Sequence, residues 1–170
     1  MSLFQRQGEH CVARLSADEV RVLRKVAAEV VELLTDGFDH GDPVVERLFP
    51  DIYPQNSVES AEFRHYTEGE LKTGKIDQAG AILAVLPANA GGDVQLDAEA
   101  AEAWLRAIND ARLAMGVRLE ITAETDLGGE LDEAVLRDPT SSRVFQLSVY
   151  AYLGYVQESL LHAMTDGCAG

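Results

Sequence analysis

The strongest helical pattern in this chain is AWLRAINDARLAMGVRLE, residues 103–120. With the residues just before it, the stretch predicts a helix that begins after Asp97 as N-cap and ends at Gly116. An apolar stripe recurs at helical spacing and predicts the face turned to the core: Ala101, Trp104, Ile108, Ala111 and Met115. Asn109 and Asp110 interrupt this pattern at the centre of the helix, where both are poor helix formers. Something other than helix propensity therefore accounts for these polar groups.

Two further segments, taken with this block, form a pattern of defined order and spacing. The first is DPVVERLFP at 42–50, running on to EFR at 62–64, and the second is VYAYL at 149–153, followed by Gln157 and Glu158. Together the three segments resemble the pattern of an actinobacterial family known as a domain of unknown function, and the resemblance covers nearly the whole chain. Tyr152 departs from it, standing where that pattern has Trp.

The resemblance implies a role, since some members of this family are regulators of transcription that respond to oxidative stress. It also implies an alternative, because the gene neighbours common in the family suggest an adaptor or accessory factor of proteolysis or sulfur metabolism. A third possibility, independent of the family, is a small-ligand-binding protein built on the polar groups of residues 109–112. No catalytic triad, phosphate loop or complete metal-ligand set is present in the sequence, so we expect a protein that is not an enzyme.

The polar groups in the central helix predict a cluster with the two other matching segments. Asn109, Asp110 and Arg112 need partners if they are buried, and Arg64 and Glu158 are available to supply them. We favour a polar clamp that orients three helices, with Glu158 as first and Glu62 as second choice of carboxylate for Arg112. A ligand or partner site made from the same groups is the alternative.

Composition predicts one folded domain over residues 1–170. Apolar residues make up 46% of the chain, which argues against disorder, and 170 residues allow a sizeable core. No apolar run approaches the roughly 20 residues needed to cross a bilayer, and the first residues lack the apolar region of a signal peptide. We therefore expect a cytoplasmic protein.

Net charge bears on the class of partner. The chain has 29 Asp and Glu against 14 Lys and Arg, a formal charge of −15. Such a field repels nucleic acid and attracts basic proteins, so direct DNA binding is unfavoured and a sigma factor or polymerase subunit is the expected kind of partner. A basic cluster exists only in Arg14, Arg21, Arg24 and Lys25. Glutamates interleave with it, which favours a solvated mixed face over a nucleic-acid contact.

The pattern along the chain predicts a mainly α, single-domain helical bundle with a small N-terminal β-hairpin. The hairpin covers residues 1–15, with Phe4 and Val12 on either side of Gly8. Ser16 to Glu19 form a capping box that begins a helix ending near Gly37. Its core-facing stripe is Val20, Leu23, Ala27, Val30 and Leu34.

In the middle of the chain, Asp42 and Pro43 predict the start of a short helix that Pro50 closes. A helix resumes near Val58, and residues 67–70 form a second capping box that predicts a restart of the chain into another helix ending at Pro87. Residues 88–92 are predicted to be a loop.

The C-terminal third combines a polar segment and an apolar helix. Alternation at Val117, Leu119 and Ile121 predicts a short strand or extended exit from the central helix. Residues 122–140 are predicted to be a mobile loop with one helical turn near 131–136, and 166–170 a flexible tail. The last helix, residues 143–164, is apolar on almost every side, so it is either central in the bundle or shared with a partner chain, including a homodimer.

Metal and thiol chemistry have weak support. Glu62 and His65 have the spacing used in di-iron bundles, but such a site needs a second Glu-x-x-His, and Glu158 with His162 is one residue too long. We expect neither metal nor cofactor. Cys11 and Cys168 form no motif by spacing, which favours a buried structural thiol at Cys11 and an exposed thiol in the tail at Cys168. The resemblance leaves reversible oxidation of these two cysteines as the alternative.

Overall fold

A computed structural model describes residues 2–36, 42–49 and 58–166, and for residues 58–65 it describes only the backbone. The described residues form nine elements in the following order: β1 Gln5–Gln7, β2 His10–Leu15, α1 Ala17–Thr35, α2 Pro43–Leu48, α3 Val58–Val85, β3 Gly92–Leu96, α4 Ala98–Arg118, α5 Leu127–Arg137 and α6 Ser142–Asp166. The predicted mainly α architecture with a small β element is confirmed.

The N-terminal hairpin is present and belongs to a three-stranded sheet. β1 and β2 pair antiparallel, with Gly8 at a φ of 63° in the turn, a conformation that glycine adopts without a Cβ penalty. β3 pairs antiparallel with β2, and Cys11 lies opposite Leu96. The predicted loop at residues 88–92 therefore gives way to a strand at Gly92. In this strand, exposed and buried positions alternate, and Val94 and Leu96 are the buried ones. Such a two-residue period is typical of a β-strand.

Helix α1 follows the sequence pattern closely. The hydroxyl of Ser16 accepts a hydrogen bond from the backbone N–H of Glu19, whose carboxylate accepts one from the backbone N–H of Ser16. The buried residues are those of the predicted stripe: Val20, Leu23, Ala27, Val30 and Leu34. This face packs on α3 and α4. The predicted stop at Gly37 lies outside the described residues.

Helix α3 is continuous where a restart was predicted. The Asp42 cap of α2 forms as expected, but the capping box at residues 67–70 was wrong, because α3 runs for 28 residues through that point. Glu70 there accepts a hydrogen bond from the hydroxyl of Tyr66, four residues earlier, at 3.0 Å. A capping signature therefore begins a helix only where the preceding backbone is not already helical. The Pro50 that closes α2 in the prediction lies outside the described residues.

Helix α4 lies at the centre of the core. Asp97 caps it as predicted, and Trp104 is fully buried with its ring edge-on to Phe4, at a centroid distance of 5.9 Å. The predicted stop at Gly116 was wrong, because the helix continues to Arg118. The chain then reverses with Glu120 at a φ of 58°, and the N–H of Ile121 donates to the carbonyl of Gly116 at 2.8 Å. This is a Schellman-type ending, and it replaces the predicted strand.

Helices α5 and α6 complete the bundle. α5 has 11 residues, so the predicted single turn was too short, while the mobility predicted for residues 122–140 stays a prediction. α6 packs against α4, α5 and the hairpin. Its buried apolar residues are Leu147, Val149, Leu153, Val156, Leu160 and Ala163. Phe145, Tyr155 and Leu161 of the same helix are exposed, so α6 is only partly buried and is less central than predicted. The alternative, a homodimer through α6, stays a prediction. Among the described helices, none is long and apolar enough to cross a membrane.

Replacement of two glycines by alanine should have opposite effects on the stability of the fold. A Cβ on Gly91 would lie 2.5 Å from the carbonyl oxygen of Leu15, whereas a Cβ on Gly69, exposed within α3, meets nothing within 4 Å. We expect Gly91→Ala to lower the free energy of unfolding by about 1–3 kcal/mol through overpacking. Gly69→Ala should raise it by about 0.8–1.0 kcal/mol through helix propensity. Urea unfolding of both variants checks the pair, and equal effects would contradict the close approach of Gly91 to β2.

Candidate functional site

A buried ion pair joins α3 and α4. The ammonium of Lys75 donates to Oδ1 of Asp110 at 2.7 Å, and the two side chains are 18% and 5% exposed. Lys75 also lies 5.9 Å from the ring centroid of Phe49, the residue that ends α2. Lys75 of α3 therefore contacts residues from two other helical segments, α2 and α4, including the Asp110 that interrupts the apolar pattern of α4.

The Asp110 carboxyl is only partly compensated. Burial raises its pKa above the ordinary value, while the hydrogen bond and the positive charge of Lys75 oppose that rise. The second carboxylate oxygen, Oδ2, is buried and has no hydrogen-bond partner among the described residues. A buried polar atom in this state costs free energy unless water or a ligand group satisfies it. The group is therefore a candidate for binding a hydrogen-bond donor.

A second polar contact joins α4 to α6. The guanidinium of Arg112 donates to Oε1 of Gln157 at 2.7 Å and lies 4.9 Å from the ring centroid of Tyr150. A Cβ on Gly154 would lie 3.4 Å from this guanidinium, so the absence of a side chain there lets Arg112 lie close to the α6 backbone. The amide of Gln157 in turn donates to Oδ1 of Asn109 at 3.4 Å. The contact combines a hydrogen bond with cation–π stacking.

The polar groups of α4 have partners that differ from the predicted ones. Arg112 binds Gln157, not Glu158, and Glu158 is exposed on a surface that it shares with Tyr155 and His162. Adjacent residues on a helix point about 100° apart, so a one-residue error in the partner moves the side chain to another face. The side chains of the two other candidates, Arg64 and Glu62, lie outside the described residues.

These groups line an open cleft between α3, α4 and α6, which we call the α3–α4–α6 cleft. Its cavity volume is about 670 Å³. The lining combines apolar and polar side chains, among them Glu70, Leu71, Lys75, Asn109, Asp110 and Gln157. These side chains offer hydrogen-bond donors and acceptors and one buried ion pair. The cleft is thus suited to holding a polar ligand or partner group in a fixed orientation.

Tyr152 links α6 to the beginning of α1. Its hydroxyl donates to Oε2 of Glu19 at 2.8 Å, and burial together with this hydrogen bond raises the pKa of the phenol above its ordinary value. Glu19 is also the carboxylate of the capping box at Ser16. Tyr152 therefore ties the cap of α1 to the last helix.

Cys11, a candidate for redox chemistry, is not among the residues that line the cleft. Cys11 is buried in β2, and burial raises the pKa of its thiol, which disfavours the reactive thiolate, while Arg6 opposes the rise. Cys168 lies outside the described residues. Within the described part of the chain, no group of three or more His, Cys, Asp or Glu side chains could hold a metal ion.

Each of the four residues of the basic cluster has a contact within the described part of the chain. Arg14 faces Asp93 at 3.9 Å, and Arg21 pairs with Asp18 at 2.7 Å. The other two contact groups that are not carboxylates. Arg24 donates to the backbone carbonyl of Pro87, and the ammonium of Lys25 lies over the ring of Phe145. The solvated mixed face stays a prediction.

Comparison with known proteins identifies the family. The model of the family described as "Domain of unknown function (DUF2017)" matches residues 1–164. The chain belongs to this family. The resemblance found in the three sequence segments is thereby confirmed.

Curated relatives of this DUF2017 chain have names that refer to a role. The oxidative stress regulator AosR of Mycobacterium tuberculosis is 36% identical over 94 residues, covering 48% of this chain and 43% of the relative. The putative oxidative stress regulator AosR of Mycobacterium leprae is 30% identical over 136 residues, covering 72% of this chain and 58% of the relative. The chain thus spans about half the length of the curated relatives it matches. No solved structure matches.

Arg112 of this DUF2017 chain should stabilise the fold through Gln157. We expect Arg112→Ala to lower the free energy of unfolding by about 1.5–3 kcal/mol, since it removes a charged hydrogen bond and leaves the Gln157 oxygen unpaired. Arg106→Ala, which removes an exposed pair with Glu102, should cost less than about 0.5 kcal/mol. A double-mutant cycle with Gln157→Ala should give a coupling energy of at least about 0.5 kcal/mol, and one with Glu158→Ala a value near zero. The reverse result would contradict the observed pairing.

Because the pKa of Asp110 is raised, we expect the stability of the fold to depend on pH. Because its pKa is raised in the folded state, the folded chain binds more protons than the unfolded chain between about pH 3.9 and that raised pKa. The free energy of unfolding of the wild type should therefore fall, relative to Asp110→Asn, as the pH rises through this window. Urea unfolding of both proteins at a series of pH values measures the difference. A difference that rises with pH would mean that the attraction of Lys75 outweighs burial.

Proposed function

We propose that this chain is a non-enzymatic regulatory protein that acts under oxidative stress, in the control of transcription, through contacts with another protein. The observation that carries the proposal is the similarity to relatives named oxidative stress regulators, which in the Mycobacterium leprae protein extends over 72% of the chain. The α3–α4–α6 cleft is consistent with it, because its buried polar groups fix the relative orientation of three helices. A fixed arrangement of helices presents a defined surface to a partner.

The charge of the chain supports a protein partner over DNA. A net charge of −15 repels the phosphate backbone and attracts a basic protein at long range. A sigma factor or polymerase subunit in the cytoplasm is the kind of partner that we propose. A homodimer through α6 has weaker support, because the exposed apolar residues of α6, Phe145, Tyr155 and Leu161, do not follow one helical stripe.

A small-ligand-binding protein is the second candidate, and the unpaired Oδ2 of Asp110 favours it. The α3–α4–α6 cleft has a volume within the usual range of about 300–1,000 Å³ for small-molecule sites. A ligand that donates a hydrogen bond to this oxygen would bind Asp110→Asn more weakly, whereas a partner protein bound elsewhere would be unaffected by that variant. Comparison of the two proteins in one binding assay distinguishes the candidates.

The proposal is tested in the native host. We expect the tagged chain, purified before and after peroxide treatment, to retain one basic protein of the transcription machinery, identified by mass spectrometry. The purified pair should then form a complex by size-exclusion chromatography and change transcription from a promoter that responds to peroxide. Failure of the purified candidate to bind, or binding with no effect on transcription, would contradict the proposal.

Direct binding to DNA should be weak. At about 0.15 M salt we expect no shift of duplex DNA at nanomolar protein, because nonspecific contacts typically have dissociation constants of about 10⁻⁴ to 10⁻⁶ M even for proteins whose charge favours binding. Electrophoretic mobility shift with promoter and unrelated DNA of equal length measures this. A shift specific to the promoter at nanomolar protein would overturn the choice of a protein partner.

A further inference from the structure

An apolar groove lies between α1, the end of α4 and the beginning of α6, and we call it the α1–α4–α6 groove. It shares no lining residue with the α3–α4–α6 cleft and has a cavity volume of about 210 Å³. Its apolar lining comes from three helices: Val22, Val26, Met115, Leu119, Phe145 and Val149. The volume is below the range of about 300–1,000 Å³ for small-molecule sites. The groove is therefore of a size to hold a single apolar side chain.

A half-exposed aromatic ring marks the edge of this groove. Phe145, near the beginning of α6, is 50% exposed. The ammonium of Lys25 lies 5.2 Å from the centre of its ring, so cation and ring together form one wall. An exposed large apolar side chain next to an apolar groove is a feature of protein interaction sites.

The charge of the groove is opposite to that of the chain. Lys25 and Arg118 line it together with one carboxylate, Glu29. Within residues 2–36, 42–49 and 58–166, neither cation has a described ion pair, and Arg118 has no described hydrogen bond. Their charge is available to a carboxylate from outside.

We propose that the α1–α4–α6 groove binds an acidic, amphipathic segment of the partner protein, with one apolar side chain in the groove and flanking carboxylates on Lys25 and Arg118. This inference rests on the proposed function, which requires a protein partner. The apolar lining supplies the anchor pocket, and the two cations select the charge next to the anchor. Helix-in-groove and acidic-motif recognition both use such a combination.

Local and overall charge act at different distances. Exposed charges are largely screened beyond about 8 Å at physiological salt, so the net charge of −15 governs the approach of a partner and the groove cations govern contact. A partner that is basic overall and carries an acidic segment satisfies both conditions. For an isolated acidic peptide the net charge is repulsive, so preference for that peptide over a basic one would come from the groove.

The test uses three synthetic peptides and the full chain. The first is a nine-residue peptide, acetylated and amidated, with a central Phe flanked by Glu; the second replaces Glu with Lys, and the third replaces Phe with Ala. Each is titrated into isotopically labelled protein, and amide chemical shifts are followed at Val22, Met115 and Val149. We expect saturable shifts with the Phe and Glu peptide at a dissociation constant below about 1 mM, and at least about tenfold weaker binding of both other peptides.

Two pairs of exposed substitutions separate the groove cations from overall charge. Lys25→Glu with Arg118→Glu should weaken binding of the Phe and Glu peptide by about tenfold, while Arg14→Glu with Arg137→Glu, the same change of net charge outside the groove, should change it by less than about twofold. Thermal unfolding confirms that both variants fold. No saturable shifts with the first peptide, equal binding of the basic peptide, or equal effects of the two variant pairs would each overturn the proposal.

Failure of this inference is distinguishable from failure of the proposed function. If the groove variant retains the host partner as well as the wild type does, the partner binds elsewhere; the groove proposal is then overturned and the proposed function stands. If the Phe and Glu peptide binds as expected while no purified transcription protein does, the groove is supported and the proposed role in transcription fails.

Discussion

Helix α4 has to bury an apolar face together with the carboxylate of Asp110, and neighbouring elements supply the contacts that this requires. Trp104 is fully buried beside Phe4, which places α4 between the hairpin and the bundle. Six residues further on, Asp110 is equally inaccessible and is held by Lys75 from α3. Arg112 then extends to α6. Each of these contacts fixes the position of another element relative to α4.

The polar contacts of α4 determine orientation more than stability. Bringing a carboxylate and an ammonium out of water costs several kcal/mol, and the attraction between them often does no more than offset that cost. The raised pKa of Asp110 agrees with this, because burial is the largest influence on it despite the adjacent lysine. The apolar core supplies the stability. A buried ion pair and a stacked guanidinium, in contrast, permit few relative positions of α3, α4 and α6.

Much of the fold could be predicted from local chemistry. Ser16, Asp42 and Asp97 cap the helices that they were expected to cap, because a side-chain acceptor for the first free N–H groups is a local requirement. The predictions were wrong where the local structure depends on a contact with residues distant in the sequence. Thr67 to Glu70 remain helical within α3, and Gly116 lies inside α4, which continues to Arg118. Strand β3 needs β2 as its partner, which no local pattern shows.

The residues of the candidate site that lie on α4 could be predicted from the sequence, but the residues that they contact could not. Asn109, Asp110 and Arg112 stood out because polar groups at the centre of an apolar helix need an explanation. Lys75 and Gln157 did not stand out, since a lysine or glutamine on a helix is usually solvated. The residues beside them in the sequence do not indicate that these two side chains face α4. The same limit applies to Lys25 and Arg118, whose common position beside Phe145 depends on how three separate helices pack. A local concentration of positive charge on an acidic chain is therefore a property of the fold, and composition alone conceals it.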